Sequence, residues 1–159
     1  MSDERAVQQV LARYVRATDR RDGQALAALF TESGTVQIFH KGIEQPETVG
    51  ELVGREAISN AVSNMMKPHP SGGWSHHTTH DTIIEVNGDT ATLDAQFIVF
   101  SVLGAEKPEG GWPAGTFGAQ GNIIPIESGY YRPSLVRVGG SWFIESLKIY
   151  IDLPMAFGS

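Results

Sequence analysis

The feature that most constrains the fold is a change of pattern along the chain, from helical spacing in the first half to long strand-like segments in the second. The pairs Asn87-Gly88 and Gly139-Gly140 divide the second half at tight hairpin turns. Apolar periodicity predicts helices over residues 7–18, 22–30 and 55–66 and strands over residues 35–40, 75–86, 90–103, 120–138 and 142–152. Helices followed by long antiparallel strands indicate an α+β fold.

The remaining segments are predicted as connections. Residues 41–53 are punctuated by glycine and proline and are expected to form a loop. Residues 104–118 hold five glycines and two prolines and are expected to form a mobile loop that could close over a site. Pro125 and Pro133 are expected to interrupt the strand over residues 120–138.

The long strands are able to curl around the helices. We therefore predict a cone-shaped α+β barrel, with three N-terminal helices packed on a strongly curved antiparallel sheet. Its interior would be a pocket for a small molecule. The length of 159 residues fits a single domain over residues 1–159.

Composition excludes several classes of function. The chain has no cysteine, so disulfides, thiolate nucleophiles and cysteine-bound metal sites are excluded. The net charge of −6 argues against a nucleic-acid-binding surface, which needs clustered lysine and arginine. No apolar run is long enough to span a membrane, and the polar start lacks the apolar stretch of a secretory signal. A cytoplasmic protein without nucleic-acid or membrane partners is expected.

Histidine is the main candidate for chemistry. Four of the five histidines lie at positions 69, 76, 77 and 80. On a strand, His77 faces the side opposite to His76 and His80. The spacing matches no metal-binding motif, so no metal is expected. A histidine facing a pocket beside a buried aspartate would instead be a candidate base, because the aspartate fixes its tautomer.

Two residues of the first helix are further candidates. Asp19 continues the apolar stripe of that helix instead of facing water. It is either a helix-end carboxylate near Arg20 and Arg21 or a buried partner for another group. Tyr14 lies on the same stripe, where it is either a core aromatic or a phenol that donates a hydrogen bond to a substrate oxygen.

Other aromatic positions are candidates for the pocket lining. Tyr131 and Arg132 would line a pocket mouth or belong to a strand surface. Trp112 lies in the glycine-rich loop over residues 104–118, where it could be part of a lid. The glycines there do not lie between a strand and a helix, so they do not indicate a phosphate site.

Three stretches resemble a known superfamily. They are similar to parts of SnoaL-like, nuclear-transport-factor-2-like (NTF2-like) proteins. The stretches are LARYV with the aspartates that follow it in residues 11–30, GREAI at residues 54–58 and LVRVGGSWFI at residues 135–144. The resemblance spans nearly the whole chain. It implies a cone-shaped fold with an internal pocket, and assembly into a homodimer or homotrimer through the outer sheet face. It does not imply one function, because this superfamily includes both enzymes and binding modules.

One branch of the superfamily is most similar in its motifs. Scytalone dehydratase, the hexachlorocyclohexane dehydrochlorinase and the bile-acid 7α-dehydratase share an Asp at the end of the first helix and a His on the first long strand. This resemblance implies that His77 removes a proton from carbon, that Asp19 steadies the resulting imidazolium, and that Tyr14 polarises a carbonyl or assists the departing group.

The chain departs from that branch at two positions. Scytalone dehydratase has a second His near the position of Ser101, which is assigned to the pocket here, and a Tyr at the position of Thr18. Scytalone itself is therefore not the expected substrate. Ketosteroid isomerase has its oxyanion tyrosine at the position of Tyr14, but its general-base Asp falls near Ile38, where this chain has no carboxylate.

These observations predict a cofactor-independent lyase that performs a dehydratase-like elimination or a proton shuffle on a small hydrophobic substrate. The alternative is a non-catalytic ligand-binding or accessory domain. A relative of ketosteroid isomerases, polyketide cyclases or epoxide hydrolases is a further alternative, although the Asp–Arg–Asp set of the epoxide hydrolases has no clear place in this sequence.

Overall fold

The computed structural model describes residues 1–157, with helices first and most of the sheet after them. The helices are α1 (Asp3–Asp19), α2 (Gly23–Ala27) and α3 (Arg55–Asn60), and α3 continues as a π-helical turn at Ala61–Met65. The strands are β1 (Phe30–His40), β2 (Glu47–Val53), β3 (Gly73–Asn87), β4 (Thr90–Gly104), β5 (Gly121–Val138) and β6 (Ser141–Ile151).

The six strands form one curved sheet in the order β2-β1-β6-β5-β4-β3. Bulges interrupt the pairing in several strands, and each bulge increases the local bend. Helix α1 packs across the concave face against β3, β4 and β6. The predicted α+β architecture is confirmed. The pair β1–β6 is parallel, so the sheet is mainly rather than wholly antiparallel.

Local sequence explains where α1 begins and ends. The Ser2 side chain accepts a hydrogen bond from the Arg5 backbone N–H at 3.2 Å and caps the helix. The apolar stripe predicted from the sequence is buried against the sheet. Beyond the helix, Arg21 adopts a left-handed conformation with φ of 57°, which turns the chain away. The last helical residue, Asp19, is therefore held within the buried face.

Three predicted boundaries differ from the structure. The segment predicted as a loop over residues 41–53 contains strand β2, because β1 supplies its hydrogen-bond partners at the sheet edge. Phe30 was expected in the second helix, but it starts β1 and is fully buried. The helix predicted over residues 55–66 changes from α to π geometry after Asn60.

The two prolines of β5 do not end the strand. Next to Pro125 the pairing with β4 skips one residue, and just beyond Pro133, between Ser134 and Leu135, the pairing with β6 shifts. Bulges tolerate a residue that lacks an N–H donor, so β5 runs unbroken from Gly121 to Val138.

The convex face of the sheet carries polar and aromatic side chains. The Arg132 guanidinium lies 5.3 Å from the Tyr130 ring centre and 5.2 Å from that of Tyr150, and it pairs with Asp94 at 3.1 Å. Asp94, Arg132 and Tyr150 border an open depression of about 480 Å³. Assembly into a homodimer or homotrimer through this face stays a prediction. Across residues 1–157, no helix combines the length and apolarity needed to cross a bilayer.

Candidate active site

A cavity of about 250 Å³ lies between the helices and the concave face of the sheet. Its walls are mainly aliphatic, and they include Leu26, Val36, Ile38, Ile58, Val62 and Ile149. Few polar groups reach it. An apolar hollow with a small number of polar side chains is the usual form of a small-molecule site.

The structure brings His77 and Asp19 together at this cavity. Asp19 ends α1 and His77 lies on β3, and the His77 Nδ1 atom is 2.5 Å from Asp19 Oδ1. Both side chains are largely buried, with about 10% and 9% of their surfaces exposed. His77 lines the cavity. The pair thus joins a helix end to a strand 58 residues away in the sequence.

Further hydrogen bonds hold the Asp19 carboxylate in place. The Ser75 hydroxyl donates to Oδ1 at 2.9 Å, and the His77 backbone N–H donates to Oδ2 at 3.2 Å. Burial by itself would raise the pKa of Asp19, but these bonds and the His77 ring outweigh it, so the pKa lies below its ordinary value. Asp19 is therefore ionised at neutral pH.

His69 supports the same corner of the fold from outside the cavity. Its Nε2 atom is 2.6 Å from the backbone carbonyl oxygen of Asp19. Because a carbonyl only accepts, Nε2 of His69 must carry the proton and donate it. The ring also stacks on Trp74, with ring centres 4.7 Å apart. The sequence pattern does not indicate this contact, because it depends on the path of the irregular segment between the π-helical turn and β3.

The ionised carboxylate determines the tautomer of His77. A carboxylate accepts hydrogen bonds, so Nδ1 of His77 must carry the proton. In the neutral imidazole, Nε2 on the opposite edge of the ring is then unprotonated. A buried Asp that fixes an imidazole in this form prepares it as a general base.

Tyr14 and Tyr131 form an aromatic wall of the same cavity. Their ring centres are 5.7 Å apart in an edge-to-face arrangement, and the Tyr131 ring stacks on Phe97 at 4.3 Å. Burial raises the pKa of each phenol above its ordinary value. Both hydroxyls are therefore neutral at physiological pH and are able to donate a hydrogen bond.

Three residues assigned to the pocket from the sequence lie outside the cavity lining. Arg132 follows Tyr131 on β5, and alternation places its side chain on the convex face beside Asp94. Ser101 pairs with Ser75 in the register of β3 and β4, further along the sheet than the cavity. Trp112 lies in the β4–β5 loop, half-exposed.

One acidic residue of the cavity, Glu127, is not among the candidates predicted from the sequence. Glu127 on β5 lines it together with His77 and Tyr131. Strand periodicity is the sequence feature that indicates this position, because residues 127 and 131 lie four apart and share one face of a strand. Pro125 and the predicted interruption of the strand obscured that periodicity.

The other histidines of β3 lie away from the cavity. His76 is exposed, and His80 pairs with the exposed Asp81 at 3.1 Å. Among residues 1–157, no three or more histidine, aspartate or glutamate side chains are grouped to hold a metal ion.

Replacing Ser75 with alanine is expected to lower the free energy of unfolding by about 1–2 kcal/mol at neutral pH, because a buried carboxylate loses a donor. Folding lowers the pKa of Asp19, so the ionised carboxylate stabilises the folded state. This stabilisation is fully present above the pKa of the unfolded chain, roughly 3.9, and is lost as the pH falls through the pKa of the folded state. The difference between the variant and the wild type should therefore shrink in acid. Urea unfolding at several pH values measures it, with Ser134→Ala on the convex face as control.

These elements define a class of protein. A strongly curved sheet covered by N-terminal helices, with a cavity inside its concave face, is the NTF2-like, cystatin-like architecture. The chain belongs to the SnoaL-like domain family, which matches residues 1–148. The family predicted from the sequence is confirmed, whereas the particular branch stays a prediction. No curated protein matches the chain.

Solved structures share this fold at low sequence identity. A protein of unknown function with a cystatin-like fold from Nostoc punctiforme is 19% identical with a TM-score of 0.68, covering 96% of this chain and 94% of that one. The beta subunit of a proposed aromatic-ring-hydroxylating dioxygenase from Novosphingobium aromaticivorans is 17% identical with a TM-score of 0.68, covering 96% and 90%. A proposed dehydratase of the NTF2-like family from Streptomyces avermitilis is 18% identical with a TM-score of 0.63, covering 96% and 98%.

Proposed function

We propose that this protein is a cofactor-independent lyase that removes a proton from carbon in a small hydrophobic substrate. The observation that carries the proposal is the contact between His77 and the buried carboxylate of Asp19 at an apolar cavity. A cavity of about 250 Å³ is smaller than the usual site for a drug-sized ligand. A substrate with one ring and a short chain suits it.

Each polar group of the site has a role in this reaction. Nε2 of His77 accepts the carbon-bound proton, and the Asp19 carboxylate stabilises the imidazolium that forms. The Tyr14 phenol donates a hydrogen bond to the substrate carbonyl, where negative charge develops as the proton leaves. The aliphatic walls lower the local dielectric constant, which strengthens both interactions.

A ketosteroid isomerase mechanism has less support. Ketosteroid isomerases resemble this chain but carry their general-base aspartate near the position of Ile38. The side chain of Ile38 is aliphatic, and it lines the cavity. The imidazole of His77 is the candidate base that the cavity offers instead.

A second candidate function is ligand binding or assembly without catalysis. It is favoured by the similarity to a dioxygenase beta subunit, a type of chain that works within a larger complex. The start of β5 also exposes Ile123, Ile124 and Ile126, which are suited to contact another chain. This alternative predicts that ligands bind in the cavity and are released unchanged.

An elimination assay tests the proposal. The probe is a β-hydroxy ketone with one phenyl ring, which loses water to give a conjugated enone followed by ultraviolet absorbance. We expect the purified protein to accelerate enone formation over buffer, with saturation kinetics. Binding of the ketone without acceleration, shown by calorimetry, would favour the second candidate.

A further inference from the structure

The cavity contains a second acid–base group, Glu127, on the same face of the sheet as His77. In the sheet register His77 pairs with Val99, and Val99 pairs with Glu127. The three residues form one row across β3, β4 and β5. Neighbouring strands lie about 4.8 Å apart, so the two backbones are roughly 10 Å apart. On a concave face the side chains of one row converge, and both His77 and Glu127 line the same cavity.

The environment of Glu127 favours its protonated form. Burial raises its pKa, and the nearby His77 opposes this effect only in part. Tyr131 is the other titratable group of β5 at the cavity, and Tyr14 and His77 face it from α1 and β3. Within residues 1–157, neither lysine nor arginine lines the cavity. A carboxyl group in such surroundings is suited to act as a general acid.

We propose that Glu127 protonates the leaving group, and that the substrates are β-hydroxy carbonyl compounds that lose water. This inference rests on the proposed function and specifies its substrate class. A hydroxyl group leaves readily only when it receives a proton, whereas a halide leaves without one. A carboxylic acid that lines the same cavity as the base supplies that proton.

The step balances without a cofactor. Nε2 of His77 takes the proton from the carbon next to the carbonyl, and the electrons of that C–H bond form the C=C bond. The C–O bond to the leaving hydroxyl breaks, and the hydroxyl takes the proton of Glu127 to depart as water. His77 is then protonated and Glu127 ionised. Transfer of one proton from His77 to Glu127 through solvent restores both groups.

Turnover of Glu127→Gln with two probes tests this role. The first probe is the β-hydroxy phenyl ketone, and the second is its β-chloro analogue, with rates corrected for the reaction in buffer. We expect about a hundredfold loss with the hydroxy ketone and less than about a tenfold loss with the chloro ketone. Equal effects on the two probes, or none on the hydroxy ketone, would overturn the inference. Glu85→Gln, on the convex side of β3, is the matched control and should match the wild type.

The same variants separate this inference from the proposed function. If His77→Gln abolishes turnover of both probes while Glu127→Gln does not, the lyase survives and the role of Glu127 fails. If both variants retain wild-type turnover, the proposed function fails as well.

Thermal unfolding tests the inference without any substrate. Folding raises the pKa of Glu127, so its ionised form costs stability above the folded pKa, and that cost vanishes below the unfolded value of roughly 4.3. Glu127→Gln removes the cost. It should melt at a higher temperature than the wild type at pH 8, with the difference declining toward pH 4. A difference in melting temperature that does not change with pH would show that folding does not raise the pKa of Glu127, and would overturn the inference.

Discussion

Replacing His77 with alanine is expected to lower elimination turnover by about a thousandfold, because the site loses the group that accepts the carbon-bound proton. The loss should appear in kcat, since the aliphatic walls that hold the substrate are unchanged. The enone absorbance assay measures it. His77→Gln is the second variant, because glutamine keeps a donor for the Asp19 carboxylate and protects the fold while lacking a comparable base.

The control for this prediction is His76→Ala. His76 neighbours His77 on β3 but is exposed, so its loss should leave turnover within about twofold of the wild type. Retention of most of the activity in both His77 variants would show that the imidazole is not the base.

Replacing Asp19 with asparagine is expected to lower turnover by roughly 10²- to 10⁴-fold. The Asn amide is able to point its N–H₂ group at Nδ1 of His77, which would then accept instead of donate. The imidazole proton would move to Nε2, the atom that has to be free to take a proton from carbon. The substitution is nearly isosteric, so the cavity keeps its shape. Steady-state kinetics and ¹⁵N chemical shifts of the His77 ring report the rate and the tautomer.

Asp81→Asn provides the matched control for this second prediction. Asp81 contacts the neighbouring His80 in the same strand, but both side chains are exposed to solvent. Turnover by Asp81→Asn should equal that of the wild type. An Asp19→Asn variant with wild-type kcat would contradict a catalytic role for the buried pair.

The fold was predictable where the pattern was regular. The stripe of α1 and the hairpin between β3 and β4 follow from residues close together in the sequence. The structure places the turn of that hairpin at Gly88-Asp89, one residue later than predicted, because Asn87 still pairs with Thr90. Strand β2 was missed because it is a short edge strand whose partner, β1, supplies its hydrogen bonds. The parallel pairing of β1 with β6 depends on contacts between distant segments, which local periodicity does not reveal.

The candidate site was predictable only in part. Asp19 continued an apolar stripe, and resemblance pointed to His77 as its partner. Of the two positions considered for Arg132, a pocket mouth or a strand surface, the structure has the second. Tyr131 faces the cavity, so alternation along β5 places the next residue on the convex face beside Asp94. Glu127 shares the inward face with Tyr131, and only the continuous β5 strand of the structure makes that relation clear.

The most direct test of the account is proton exchange at carbon, without any leaving group. A phenyl-substituted ketone without a β-hydroxyl is incubated in D₂O with the protein, and NMR follows replacement of the hydrogens next to its carbonyl. If the Asp19-bound imidazole takes protons from carbon, the wild type will accelerate exchange while His77→Gln and Asp19→Asn will not. Exchange at the same rate in the wild type and both variants would contradict the account.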